Sequence, residues 1–525
     1  MQENNKSNWT RPLFYAFLVL VGIVIGVFLK GDLSIGMGGA RSKDPMQEIL
    51  QLIQSKYVDP ITNDSIQNHL ANNYLSELDP HSIYIPPSDV VEVNEQLQAN
   101  FKGIGIEFMQ IKDSLFVTYV MKQGPADKAG LAIGDILLQL DDTIALSGKK
   151  WDTEDIRKKI KGPAHTQVKL LLLREGKKLT VNITRDNVPV SPVDAFYIIS
   201  PKTGYIRINK FADRTYESFM QALDSLVQKG IQSLVIDLRG NGGGLLSEAV
   251  AIADELLSGN KLIVYTEGAH SPRVNYYSKR EGLFEQGNVT VLMDESSASA
   301  SEVLAGALQD WDRAKIVGQR SFGKGLVQQQ FNLSNGGALR LTTAKYFTPL
   351  GRNIQRPYEQ GKMAYENEFI SRMHNDAIGI KDSTFKGEKY KTPKGHIVYG
   401  GGGIYPDEWL KQKNIIIDTS FAVLWDKNLL NEFVLKWYVK NKMALEKIES
   451  PSAYVKQYNS YDFWNLLYQF ANSSQRSQLK LIEKDKIEVQ RQIMALVARM
   501  KWYKQGYYEV ENSFIQNQFY DYEKN

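Results

Sequence analysis

Cysteine is absent from all 525 residues. That excludes disulfides, a thiol nucleophile and any zinc site built on cysteine. It does not fix the redox compartment, since a cysteine-free chain suits an oxidising space as well as the cytosol. Histidine is scarce: the six are scattered, with no HExxH and no close pair. Excess charge of one sign is missing too. A net charge of +4 is small for this length and implies no nucleic-acid partner. The glycine-rich turns carry neither the Lys and Ser/Thr of a P-loop nor a GxGxxG spacing. What remains is an ordinary globular composition, 43% hydrophobic and 23% charged. The length suits about three or four domains and a large core.

One uncharged run stands out, Pro12 to Leu29, preceded by Lys6 and Arg11. At helical rise it reaches about 27 Å, close to the roughly 30 Å hydrocarbon core of a bilayer. A cleavable signal peptide would carry a shorter apolar region. An uncleaved anchor at 12–29 is therefore expected. Residues 1–11 would be cytoplasmic, and the rest would lie across the inner membrane, in the periplasm or otherwise outside the cytoplasm. Lys30 on the far side weakens the charge bias.

Residues 44–98 read as a helical region. Met46, Ile49, Leu50, Ile53 and Tyr57 recur at helical intervals, and Asn63-Asp64-Ser65 suits the cap of a second helix. Leu78-Asp79-Pro80-His81-Ser82 breaks it, because proline ends helices. His81 is expected to be a structural turn residue rather than a base. From 99 to 186 the pattern turns to short strands, glycine turns and a hairpin around Arg174-Glu175-Gly176. The Gly124-Pro125-Ala126, Ala129-Gly130-Leu131 and Gly134-Asp135 series resembles a PDZ domain. Gly103, Ile104, Gly105 and Ile106 stand where that family has its carboxylate-binding loop. Glycine lets the backbone aim N–H groups at a carboxylate, and an extended peptide can then join the sheet edge.

An α/β unit spans 187–355. Ser233–Leu238 is an apolar strand of the kind buried on both faces, ending in Arg239-Gly240-Asn241-Gly242-Gly243-Gly244. Val289–Met293 is another, followed by Asp294-Glu295-Ser296-Ser297-Ala298-Ser299-Ala300-Ser301-Glu302 and an apolar helix. A serine-rich cap would explain the cluster equally well. Small hydroxyl residues at a strand-to-helix turn also stand beside free backbone N–H groups, which an attacked carbonyl requires. A serine nucleophile needs a base, and no histidine lies in these motifs. Lys324, between Gly323 and Gly325, is the titratable group framed by glycines. A lysine acts as base when burial brings its pKa from about 10.4 toward 7–8. A Ser–Lys dyad is thus the better chemical reading than Ser-His-Asp.

Residues 356–398 are polar, without clear period, and read as an insertion or long loop. Order resumes over 399–414. Residues 415–525 look helical, with Leu479–Lys504 the clearest helix; packing or homo-oligomerisation is their default role.

Taken together, residues 44–407 resemble the C-terminal processing (tail-specific) peptidases, serine peptidases that join a PDZ domain to a crotonase-like α/β core. The matching motifs occur in family order: Leu78–Ser82, Gly103–Ile106, Asp237–Gly244, Ser297–Glu302, Gly323-Lys324-Gly325 with Gln328, and Thr348-Pro349 with Gly351. The resemblance implies Ser299 as nucleophile and Lys324, 25 residues later, as base. It implies Gln328 as the residue orienting that lysine, on one face with it if the segment is helical. It implies the N–H groups of Ala300 and Gly243 as oxyanion donors, no metal or cofactor, and protein substrates held by their C-terminal tails. Two departures are mild: Asp294-Glu295-Ser296 replaces Asn-Glu-Gly, and Gly242 replaces a frequent proline. Neither a non-catalytic PDZ adaptor nor a crotonase-like acyl-CoA enzyme accounts for all the motifs. The adaptor leaves Ser299, Lys324 and Gln328 without purpose. The acyl-CoA enzyme leaves the PDZ segment unexplained.

Overall fold

The computed structural model describes residues 14–22, 49, 52–53, 55–56, 63–377, 387–410, 424, 428–473 and 486–514. Within the expected anchor, residues 14–22 are helical and their side chains largely exposed. Positions 12–13 and 23–29 lie outside the described residues, as does most of 44–62. Among the described residues, no helix is long and apolar enough to cross a membrane.

The apolar strands of the α/β unit build one six-stranded sheet. Its order is Val193–Ser200, Thr203–Ile208, Ser233–Asp237, Asn288–Met293, Ala314–Gly318 and Glu408–Trp409. The first pair is antiparallel and every later pair parallel. Parallel strands need both faces covered. On one face Ile206, Leu234, Ile236, Val289, Val291 and Met293 pack against the helices Thr215–Gln228, Leu246–Asp254 and Ala300–Asp310. On the other, Tyr197, Tyr205, Val235, Leu292 and Val317 form a second buried layer, with Tyr508 packed against it. A five-stranded sheet containing Ile83–Ile85, Leu262–Gly268, Leu326–Asn332 and Ala338–Phe347 stands beside it.

The segment read as PDZ-like is a separate antiparallel sheet around its own core of Leu115, Val117, Leu137, Leu170 and Leu172. The helix Thr153–Ile160 packs into that core through Ile156 and Ile160, and Asp152 caps it by accepting the Glu154 N–H at 2.8 Å. The strand Ile106–Ile111 lies at one edge.

The last described part is helical: Leu429–Glu446, Pro451–Tyr458, Phe463–Ser473 and Lys486–Ser513 enclose a core with Phe433, Trp437, Tyr454, Phe463 and Ile493. Residues 479–485 of the expected long helix lie outside the described set. Tyr503 interrupts the final helix with φ 57° and ψ −146°, a region that side chains other than glycine occupy only under constraint. The constraint is visible on both sides. Tyr503 stacks on Tyr119 with centroids 4.1 Å apart. Two residues on, the Gln505 side chain accepts the Phe196 N–H at 2.9 Å and donates to the Phe196 carbonyl at 3.0 Å.

The expected loop at 356–398 is corrected. It holds a helix, Lys362–Ala377, and paired strands, Lys389–Lys391 and Ile397–Tyr399. The helix is held by charge and aromatic contact rather than an apolar stripe. Glu368 pairs with Arg320 at 2.8 Å and with Arg356, and Phe369 packs on Phe322. Hydrophobic periodicity was therefore the wrong signal for it.

Candidate active site

Two turns at the C-terminal ends of neighbouring parallel strands are stitched together. The Asn241 carbonyl accepts the Ala298 N–H at 3.0 Å and the Ser301 hydroxyl at 2.9 Å. Asp294 accepts the Gly240 N–H at 2.9 Å, and the Ser297 hydroxyl donates to the Leu238 carbonyl at 2.9 Å. Ser297 and Ser301 are thus buried fasteners. Ser299 is different. It is half-buried, directly precedes the helix Ala300–Asp310, and has φ 55° and ψ −113°. A non-glycine residue at positive φ is uncommon and marks a site where the surroundings impose the conformation.

Gly243 shows why the glycine turn is needed. A Cβ on it would lie 2.5 Å from the Ala298 carbonyl oxygen, 2.8 Å from the Ser299 Cβ and 2.9 Å from the Ala300 nitrogen, at φ +91°. Its N–H, however, donates to Asn241 Oδ1 at 2.9 Å. The expectation that this N–H is an open oxyanion donor is therefore corrected: Gly243 is present for close approach, and its donor is already used. Ala300 differs. As the first helical residue its N–H has no intrahelical partner, and among the described residues it has no other acceptor.

Glu302 joins the serine turn to the lysine turn. It is fully buried. One carboxylate oxygen accepts the Ser299 N–H at 2.8 Å and the Lys324 N–H at 2.9 Å. The other accepts the Gly323 N–H at 2.7 Å and the Ser321 hydroxyl at 2.5 Å. Burial raises the Glu302 pKa against the pull of these four donors. Tyr346 adds a second tie: its hydroxyl lies 2.5 Å from the Lys324 carbonyl oxygen and 3.1 Å from that of Ser299.

Lys324 Nζ donates to Gln328 Oε1 at 2.8 Å. The pair is not on a helix, as the i,i+4 spacing suggested. Lys324 is in a loop, and Gln328 lies on the strand Leu326–Asn332 just after a register shift between Val327 and Gln328. The contact joins a loop residue to a strand residue, so helical periodicity is not what brings the side chains together. Burial, then the nearby Arg340 cation, lowers the Lys324 pKa to about 8, against the opposing charges of Asp79 and Glu302. His81 is close by. Asp79 Oδ1 accepts its N–H at 2.8 Å, forming the turn expected of Leu78–Ser82. Its carbonyl accepts from Gln328 Nε2 at 2.7 Å. Burial, then Lys324, lowers the His81 ring pKa to about 3, so the ring is neutral at ordinary pH.

Tyr346 is a supporting residue outside every motif, and Glu302 lies within one that assigns it no role. Glu302 had a signal, the Ser-x-x-Glu spacing of a helix start, but its bonds to residues 321–324 are not visible in local sequence.

At the loop Gly103–Ile106, the Ile104 carbonyl accepts from Ala126 and the Gly105 carbonyl from Met121, both at 2.9 Å. Among the described residues, the Ile104 and Gly105 N–H groups have no acceptor. The loop borders a cavity of about 710 Å³.

The sequence pattern of Peptidase family S41 matches residues 202–360, and that of the PDZ domain matches residues 116–174. The carboxy-terminal-processing protease of Bartonella bacilliformis is 32% identical over 355 residues, covering 64% of this chain and 80% of that protein. A probable CtpA-like serine protease of Staphylococcus saprophyticus is 32% identical over 364 residues, covering 67% and 73%. The solved photosystem II D1 C-terminal processing protease is 29% identical, covering 60% and 84%, with a TM-score of 0.35. Mixed α/β architecture, a PDZ domain and these relatives define a serine-type peptidase. The chain belongs to the carboxy-terminal-processing proteases of peptidase family S41.

Proposed function

We propose that this chain cleaves peptide bonds in proteins captured by their C-terminal tails, with Ser299 as nucleophile and Lys324 as base. The observation that carries the reading is the buried Glu302, whose one oxygen receives the N–H groups of both Ser299 and Lys324. Neutral Lys324 takes the proton from Ser299 Oγ as Oγ bonds to the substrate carbonyl carbon. The Ala300 N–H stabilises the resulting oxyanion. Lys324 then passes its proton to the leaving amine, and an acyl-enzyme ester remains. Water, deprotonated by the same lysine, releases the new C-terminus. Gln328 holds the lysine side chain in position. The tail is held by the PDZ segment, with its carboxylate at the Ile104 and Gly105 N–H groups.

The crotonase-like description of the 187–355 core rests on the mainly parallel sheet and the turns at its strand ends. Anchoring rests on the run from Pro12 to Leu29, which would place the catalytic part on the periplasmic side. The deciding experiment incubates the full chain with a tailed protein and follows cleavage on a gel. Ser299→Ala and Lys324→Ala should each abolish cleavage while leaving the melting temperature close to that of the parent. Substantial turnover in either variant would exclude the dyad. Tail binding without cleavage by the unaltered chain would point to an adaptor.

A further inference from the structure

The strand Ile106–Ile111 pairs with Ser114–Val120 on one side and leads the order of its sheet. Its side chains alternate between faces. Ile106 and Phe108 pack on the apolar core beneath the helix Thr153–Ile160. Glu107 and Met109 therefore face the opposite way, where the C-terminal helices stand. Arg499 pairs with Glu107 at 2.7 Å, and the Tyr503 hydroxyl lies 3.2 Å from the same carboxylate. The Asn428 side chain reaches the Gln110 carbonyl at 3.4 Å.

The cavity along this edge consequently has two lips. Arg157 and Ile160 line one. Val434, Leu496 and Met500, from the helices Leu429–Glu446 and Lys486–Ser513, line the other. A tail that joins the edge as a further strand alternates in step with it. With its carboxylate at Ile104 and Gly105, its last residue lies opposite Ile106 and turns toward the helix Thr153–Ile160. Its penultimate residue turns the other way. On an isolated sheet that side chain would point into water. Here it meets a lip supplied by a different part of the chain, with Val434, Leu496 and Met500 beside Asn431 and the Arg499 that pairs with Glu107.

We propose that the C-terminal helices read the penultimate residue of the captured tail and select an apolar side chain there. The tail site is composite: one lip belongs to the PDZ segment, at Arg157 and Ile160, and the other to residues more than 270 positions later in the sequence. Arg499, paired with Glu107, holds the second lip against the strand. The inference rests on the capture of tails by the 99–186 segment.

Fluorescence anisotropy on the full-length Ser299→Ala protein tests it. The probes are fluorescein-labelled decapeptides ending in Val-Leu-Val and in Val-Asn-Val, both as free acids, and the first also as its C-terminal amide. Leucine and asparagine are similar in size, so the comparison isolates polarity. The Leu acid should bind about tenfold more tightly than the Asn acid, as expected for burying an aliphatic side chain. Met500→Asp in the same background should reduce that preference to about threefold or less. Equal affinity for the two acids, with both exceeding the amide, would overturn the inference and leave tail capture standing. Equal affinity for the acid and its amide would overturn capture itself. The peptide comparison needs no substitution in the second lip, so it decides the question even if Met500→Asp fails to fold.

Discussion

Gln328 donates its side-chain N–H to the carbonyl of His81 at 2.7 Å, across 247 residues of chain. A carbonyl can only accept, so this contact fixes which end of the amide faces the lysine. The oxygen is left to receive Lys324 Nζ at 2.8 Å. The Leu78–Ser82 turn thereby sets the position of the proposed base through Gln328. Gln328→Ala should lower kcat about a hundredfold, the scale of a small misplacement, while KM for a tailed peptide stays near that of the parent. An unchanged kcat would remove Gln328 from the mechanism.

The pH dependence follows from Lys324. Its pKa is lowered to about 8, first by burial and then by Arg340. The neutral amine is the reactive form, so kcat/KM should rise with pH and reach half its plateau near pH 8. The Arg340 cation lowers this pKa, so removing its charge lets the pKa rise. Arg340→Gln should therefore move the rising limb to higher pH, with a loss of rate at pH 7 that largely recovers in more alkaline buffer. A limb that moved the other way, or did not move, would contradict the assignment of Lys324 as the titrating base.

Glu302 receives four donors in a site closed to water. Glutamine in its place offers one acceptor oxygen and turns an NH₂ toward two of those donors. Each buried donor left unsatisfied costs about 1–3 kcal/mol. Glu302→Gln should thus lose roughly 3 kcal/mol in urea unfolding and most of its activity, because the Ser299 and Lys324 turns are no longer held together.

Asp237 ends the central strand and is fully buried. It accepts from Arg239 and the Tyr205 hydroxyl, both at 2.6 Å, and from Arg207 at 2.7 Å. Burial pushes its pKa up, but Arg239 and Arg207 outweigh this and hold it well below the usual carboxylate range. A depressed folded-state pKa contributes stability above the unfolded value, near 4, that is lost as pH falls toward the folded one. Asp237→Asn leaves two cations facing an amide. It should cost about 3–5 kcal/mol near neutral pH and flatten the acid side of the stability curve. Equal stability of the two proteins at pH 7 would refute this.

The chain announces its strands and turns well because they depend on local pattern. The apolar runs 233–238 and 289–293 appear as the central parallel strands Ser233–Asp237 and Asn288–Met293, and the glycine turn and serine turn meet at their ends. What stays hidden are contacts between distant, polar positions. The Lys362–Ala377 helix is tied down by Glu368 and arginines rather than by an apolar face. The Lys324–Gln328 contact joins a loop to a strand, where no helical spacing announces it. The Gly243 N–H is taken by the side chain of Asn241, two residues away, a detail that glycine spacing does not encode.

The kink at Tyr503 gives the last helix a mechanical meaning. Before it, Arg499 grips the strand that would receive a tail; after it, Gln505 and Tyr508 are clasped to the catalytic sheet, the latter with Arg207 4.2 Å from its ring. Within this helix, Tyr503 is the residue with non-helical geometry. The helix thus ties that strand to the six-stranded sheet, and its change of direction falls on one residue.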